Sequence, residues 1–383
     1  MENMEQRISY QGNLDQHLTA QKYKKLDSED SGDLEPGVQL WDVAGREAHL
    51  KKIRQRNDLR RQAHIHGASL LGYRLIMNLC AMLVGFVAAF LFVSQYSDTS
   101  LQYASSLQNL MDEIIAGTTK AVTDSVGWAY LLAIAIGYLV LRLWKGRNFF
   151  RYEIYSSNQR MTVGAFLTLT CLIFGLQIPA ELLYRGMELI YNLFGLSLAG
   201  VMESNSMDLN QFPMWLYVCI AGPVTEELIF RGFMLRTARP FSKQFAILSS
   251  AIVFGMFHGS PVQTPFAFMV GLVLGYVAME YHILWAILLH IMNNMLLSDL
   301  LPRLFSGLPN GGEGIMWIIL GVCLVVAVIM LIVKRDEIIA WVRYDEPMEA
   351  WHNKAYWLSP WMIILLVSCA LDIGLFLLLP LFV

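Results

Sequence analysis

Hydrophobic residues gather into about nine runs along this chain, and short polar connections separate them. An apolar run of roughly 20 residues is long enough to cross a bilayer as a helix, at 1.5 Å per residue. The runs cover residues 70–93, 126–143, 161–182, 212–235, 245–257, 264–279, 283–300, 315–333 and 361–383. The fifth and sixth are the shortest, and GSPVQTP separates them. The pattern predicts an all-α, polytopic transmembrane bundle.

Composition supports this interpretation. The chain is 56% hydrophobic and 15% charged, whereas soluble domains are about 25% charged. An ordinary soluble domain is therefore excluded, and a multi-pass protein of the cell membrane is expected. We expect the lipid bilayer and a peptide or membrane protein as partners, and no nucleic acid.

Charge distribution predicts the orientation. Lys and Arg cluster before the first run and after the second, fourth and eighth runs, whereas the alternate connections carry mostly acids. The positive-inside rule therefore predicts a cytoplasmic N-terminus, and nine spans would put the C-terminus outside.

Four regions follow from this pattern. Residues 1–65 form a predicted cytosolic tail, whose basic part suits either a juxtamembrane helix on anionic lipid headgroups or plain topology charge. Residues 66–211 are predicted accessory transmembrane helices, and residues 212–300 hold the candidate chemistry. Residues 301–383 add C-terminal transmembrane helices with a cytosolic loop over 334–360.

Three charges lie inside the fourth run, in GPVTEELIFRGFM. Ionisable groups at membrane depth are costly and are functional candidates. Glu227 and Arg231 have the i, i+4 spacing of a helical ion pair. Glu226 lies about 100° further round the helix, so it is free to face elsewhere.

Polar residues on two further runs complete a candidate site. His258 ends the fifth run and shares a helix face with Phe254, while His290 and Asn294 share a face on the seventh. Asn293 is expected to point away from that face. At 1.5 Å per residue, these groups lie at similar depths, so three helices can bring them to one cavity.

A carboxylate and two imidazoles in one cavity favour hydrolysis, with Glu226 taking a proton from water and His258 and His290 assisting. Asn294 could stabilise an oxyanion. The same three groups could bind zinc, which uses three protein ligands at catalytic sites. Metal-bound histidines usually donate their second nitrogen to a carboxylate or carbonyl, and no further acid lies near either histidine in sequence. A metal-free reaction is therefore favoured, with zinc as the alternative.

Three motifs resemble those of the CAAX protease and bacteriocin-processing family of intramembrane proteases. EELIFR fits EExxxR, FGMFH fits FxxxH, and HIMNN fits HxxxN, in the family order. The resemblance implies a protease core over residues 212–300 in which Glu226 is the catalytic base. It implies that His258, His290 and Asn294 are its partners, with Glu227, Arg231 and Phe254 supporting them.

Other interpretations remain open. The same helices could form a non-catalytic scaffold or regulator of another membrane protein, such as a sensor kinase, with the buried polar groups joining helices. A second i, i+4 pair, Glu181 and Arg185, is interpreted as an interfacial ion pair. Asp372 and Arg74 are each interpreted as packing or snorkelling residues.

Overall fold

The computed structural model describes residues 43–95, 107–149, 159–204, 207–344 and 348–378. Every regular element in those ranges is a helix, which confirms the predicted all-α class. The chain divides into two units, Met1–Arg54 and Gln55–Val383. Of the first unit, residues 43–54 are described, and they are helical. The rest of the predicted tail lies outside the described residues.

Thirteen helices organise the described chain, two of them composite. They are α1 (Val43–Val93), α2 (Leu107–Asn148), α3 (Val163–Gly175), α4 (Gln177–Leu193), α5 (Leu198–Ser204), α6 (residues 212–238), α7 (Lys243–Phe257), α8 (Gln263–Glu280), α9 (Ile283–Phe305), α10 (Glu313–Val333), α11 (Arg335–Tyr344), α12 (Ala350–Trp357) and α13 (Pro360–Leu378). A short 3₁₀ helix, Pro309–Gly312, precedes α10.

Seven helical segments of the described chain are long and apolar enough to cross a membrane. They are α1, α2, α3 with α4, α8, α9, α10 and α13. The other two predicted spans correspond to α6, which carries Glu226, Glu227 and Arg231, and to α7, which has 15 residues. The protein is therefore a multi-pass membrane protein, and the count of nine spans and the orientation stay predictions.

Small residues bring α7 and α8 close together. A Cβ at Gly255 of α7 would lie 2.8 Å from the carbonyl oxygen of Thr264. A Cβ at Gly271 of α8 would lie 3.1 Å from the Phe254 ring. Glycine at such positions lets membrane helices approach through their backbones. The close contact places the end of α7, which His258 directly follows, beside the start of α8.

The first helix enters the core earlier than the predicted boundary at residue 65 suggests. Leu59 and Ala63 are fully buried and belong to the same apolar cluster as Phe245 and Tyr356. His66, also fully buried, lies 2.8 Å through its Nδ1 from the Tyr356 hydroxyl. Leu59 and Ala63 are therefore packed inside the protein while Arg60 and Arg61 stay exposed, because one face of this basic segment is apolar.

Candidate active site

Two π-helical stretches flank the paired glutamates in α6. Tyr217–Ala221 and Leu228–Leu235 are π-helical, and Gly222–Glu227 between them is α-helical. The Gly222 N–H bonds to the Tyr217 carbonyl, and Pro223 has no N–H to offer the Val218 carbonyl in π-helical register. The Val218 carbonyl therefore needs a donor from elsewhere.

Asn294 supplies that donor. Its side-chain Nδ2 donates to the Val218 carbonyl at 3.0 Å, and its Oδ1 accepts from Asn293 Nδ2 at 3.0 Å. Both asparagines line the same cavity, so the expectation that Asn293 points away is wrong. The reason is that Asn293 lies three residues after His290, and residues i and i+3 are neighbours on the surface of a helix.

A sealed polar network lies behind the cavity wall. Arg231 Nη1 donates to Glu227 Oε1 at 2.7 Å, and both side chains are completely buried. His290 Nδ1 lies 2.9 Å from the same carboxylate oxygen. Arg231 Nη2 also donates to the Gly271 carbonyl at 3.3 Å, and its guanidinium lies 4.2 Å from the centre of the Phe254 ring. Phe254 therefore packs against the network and belongs to its apolar cover.

Glu226 lines the cavity itself, which has a volume of about 710 Å³. Its side chain is 29% exposed, and its Oε2 lies 3.7 Å from His290 Nε2. That distance is too long for a direct hydrogen bond. It leaves the carboxylate and the imidazole as neighbouring groups on the cavity wall.

His258 is held by its own helix. Its Nδ1 lies 2.8 Å from the Phe254 carbonyl, and its ring packs edge-on against Phe254 at 4.9 Å. An Nδ1–H that donates to an oxygen leaves Nε2 as the acceptor of a neutral imidazole. By the same argument, the His290 proton on Nδ1 is directed at Glu227, so each histidine has Nε2 available for chemistry.

The donor set fits a zinc site only in part. Both histidines have Nδ1 bound to an oxygen, as metal-ligating histidines do. No further acid lies near His290 in sequence, but Glu227 supplies one from another helix. Two tetrahedral ligands at zinc distances lie about 3.4 Å apart, close to the 3.7 Å between Glu226 and His290. Across the described chain, however, no three His, Cys, Asp or Glu side chains converge as metal ligands.

Two arrangements were not expected from the sequence. Glu181 of α4 lines the same cavity as Glu226 while bonding to Arg185 at 2.8 Å. Arg74 of α1 and Asp372 of α13 form an ion pair with each other. The i, i+4 spacing indicated the Glu181–Arg185 pair but not that Glu181 lines the cavity. Sequence offered no signal for the second, which joins residues 298 positions apart.

Residues 208–296 match the family model described as type II CAAX prenyl endopeptidase Rce1-like. This match confirms the family resemblance for that segment, which holds Glu226, Glu227, Arg231, His258, His290 and Asn294. Comparisons with curated proteins and with solved structures gave no match.

Proposed function

We propose that this multi-pass membrane protein, with an Rce1-like segment over residues 208–296, is an intramembrane endopeptidase. Its substrates would be membrane-associated peptides or proteins. The observation that carries the proposal is the cavity wall, where the Glu226 carboxylate and His290 Nε2 lie 3.7 Å apart. The hydrogen bond from His290 Nδ1 to Glu227 fixes the orientation of that imidazole.

In the proposed reaction, Glu226 takes a proton from water as the water oxygen attacks the scissile carbonyl carbon. The C–N bond then breaks, and the leaving amine receives the proton from Glu226 or from a histidine. His290 and His258 present Nε2 to the reacting groups. They exchange protons there, because their Nδ1 atoms are bound to Glu227 and to the Phe254 carbonyl.

Asn294 would have a structural role and a catalytic role. One of its N–H groups holds the Val218 carbonyl, and an amide has a second N–H to offer. That second donor could stabilise the oxyanion of the tetrahedral intermediate. We assign Asn294 primarily a structural role in the cavity wall, because it donates to the Val218 carbonyl in place of the N–H that Pro223 lacks.

Replacement of the base tests the proposal. Glu226→Gln should reduce cleavage by about 10²–10⁴-fold while leaving folding intact, because the side chain is partly exposed and makes no buried ion pair. A comparison of membrane peptides from cells with the wild-type protein and with Glu226→Gln would measure this and would reveal substrates. Identical peptide profiles at equal expression would instead favour a non-catalytic scaffold.

The metal-free version is tested separately. Since Glu226 and His290 offer two of the three protein ligands that catalytic zinc needs, we propose that cleavage requires no bound metal. Elemental analysis of purified protein should find no stoichiometric metal, and activity should survive chelation. Stoichiometric zinc that disappears in both His258→Ala and His290→Ala would overturn this version.

The cell membrane is the proposed location, with the N-terminus in the cytoplasm. Seven apolar helices support the membrane setting. The basic segment before the first span supports contact with anionic headgroups, at about 1 kcal/mol for each cation near the surface.

A further inference from the structure

The walls of the catalytic cavity carry negative but no positive side-chain charge. Among the described residues that line it, Glu181 and Glu226 are carboxylates, and none is Lys or Arg. The other polar lining comes from histidine, tyrosine, amide and hydroxyl side chains. A bound anion would therefore face two carboxylates without a compensating cation.

Glu181 reaches the cavity from outside the Rce1-like segment. It lies on α4, and its side chain is 34% exposed. Its partner Arg185 is 60% exposed and is not part of the cavity lining. The Arg185 guanidinium lies 5.5 Å from the centre of the Trp317 ring, on α10. Exposed ion pairs contribute little to stability, so a substrate cation can take over Glu181 at small cost.

Tyrosine rings add a second feature that favours cations. Tyr73, Tyr130, Tyr184 and Tyr217 line the cavity. Tyr130 and Tyr217 lie with ring centres 4.6 Å apart. The faces of aromatic rings attract Lys and Arg side chains, most strongly where water is excluded.

We infer that the protease selects peptides that place a lysine or arginine side chain in this cavity against Glu181. The same walls disfavour a free C-terminal carboxylate, because it would face the like charges of Glu181 and Glu226. The inference rests on the proposed function. It predicts that the cleaved peptide bond lies inside the substrate's sequence, near a basic residue, and not at its C-terminus. Glu181 acts as a specificity residue and takes no part in bond cleavage.

Peptide binding tests the inference without requiring cleavage. The probe is a fluorescent, Leu/Ala-rich transmembrane peptide of about 20 residues, with one lysine moved through successive positions. A matched set carries norleucine at those positions, and each peptide is made as the C-terminal acid and amide. Binding to the Glu226→Gln variant in nanodiscs avoids turnover. We expect the best lysine peptide to bind about tenfold more tightly than its norleucine match. Where the C-terminus of the peptide reaches the cavity, we expect the C-terminal acid to bind more weakly than the amide.

Variants then assign the preference. Glu181→Gln, combined with Glu226→Gln, should abolish the lysine advantage, whereas Glu181→Lys should favour a peptide with glutamate at that position. Arg185→Gln should increase the lysine advantage by freeing Glu181. Glu313→Gln is the matched control, because Glu313 is an exposed carboxylate outside the cavity lining that bonds to Trp317 at 3.3 Å.

The outcomes separate the two proposals. Equal binding of lysine and norleucine peptides, or a lysine advantage that survives Glu181→Gln, overturns the specificity inference. Glu226-dependent cleavage of neutral peptides at the same rate would also overturn it, while leaving the endopeptidase assignment intact. A lysine preference without Glu226-dependent cleavage of any peptide would support the binding site and contradict the proposed enzyme.

Discussion

Glu226 and Glu227 are adjacent in sequence, yet they belong to two different regions of the molecule. Glu226 is part of the cavity wall, with a side chain 29% exposed and no ion pair with Arg or Lys among the described residues. Glu227 is fully buried behind that wall, where it contacts both Arg231 and His290. A rotation of about 100° along one helix separates the two environments.

The difference shows how a buried carboxylate can orient a group that lies beside a partly exposed one. Glu227 with Arg231 forms a pair that holds His290 by Nδ1, and His290 in turn presents Nε2 to Glu226. The buried pair of Glu227 and Arg231 therefore determines how His290 is placed relative to Glu226 on the cavity side. Mutations on the two sides should give different combinations of lost activity and lost stability.

The largest effect is expected for the histidines. His258→Ala and His290→Ala should each lower cleavage by about 10²–10⁴-fold, since both remove a proton-transfer group. Only His290→Ala should also lower the free energy of unfolding, by about 1–3 kcal/mol, because it leaves Glu227 without its imidazole donor. Parallel measurements of peptide cleavage and of denaturation in detergent would show this split. Equal stability loss in the two variants would contradict the prediction that only His290 supports the buried Glu227–Arg231 pair.

A loss of stability should dominate in Glu227→Gln. It leaves the Arg231 charge buried without its partner, which typically costs about 3–5 kcal/mol. The amount of folded protein and its unfolding midpoint measure the effect, with Glu226→Gln as the neighbouring control. Glu227→Gln combined with Arg231→Met should regain much of the stability, because no buried charge remains. Full stability of Glu227→Gln alone would show that the pair is not needed.

Asn294→Ala should lower the free energy of unfolding less than Glu227→Gln does. It removes the donor to the Val218 carbonyl, at a cost of about 1–3 kcal/mol. Asn294→Asp should not rescue it, because a carboxylate cannot donate to that carbonyl. Asn293→Ala is the control, since the Asn293 side chain bonds to Asn294 and not to the backbone of α6. If Asn294→Ala abolishes cleavage at unchanged stability, its main role is at the oxyanion.

Helical spacing predicted contacts within one helix from the sequence. The Glu227–Arg231 and Glu181–Arg185 pairs both follow from i, i+4 geometry, and both are present. The family motifs indicated correctly which segment is Rce1-like. These signals are local, because the residues involved lie within about one helical turn of each other.

Contacts between distant helices could not be predicted in the same way. The Arg74–Asp372 pair and the approach of Glu227 to His290 depend on how helices pack, and no sequence interval encodes that. The error at Asn293 has a different origin. It came from placing Asn293 off the face of His290, although residues i and i+3 are neighbours on a helix surface.

The π-helical turn at Tyr217–Ala221 also has a consequence for chain length. A π-helical turn holds one more residue than an α-helical turn would need. Deleting one residue there would let an α-helical turn close in its place, and because either turn completes one full rotation, the residues on its two sides would keep roughly the same relative orientation. Trp215, which donates to Asp299 at 2.9 Å, would then keep that partner. A homologue shorter by one residue at this point would retain every motif and the orientation of the start of α6, so an alignment gap here should be read as the loss of the π-helical turn and not as a rotated helix.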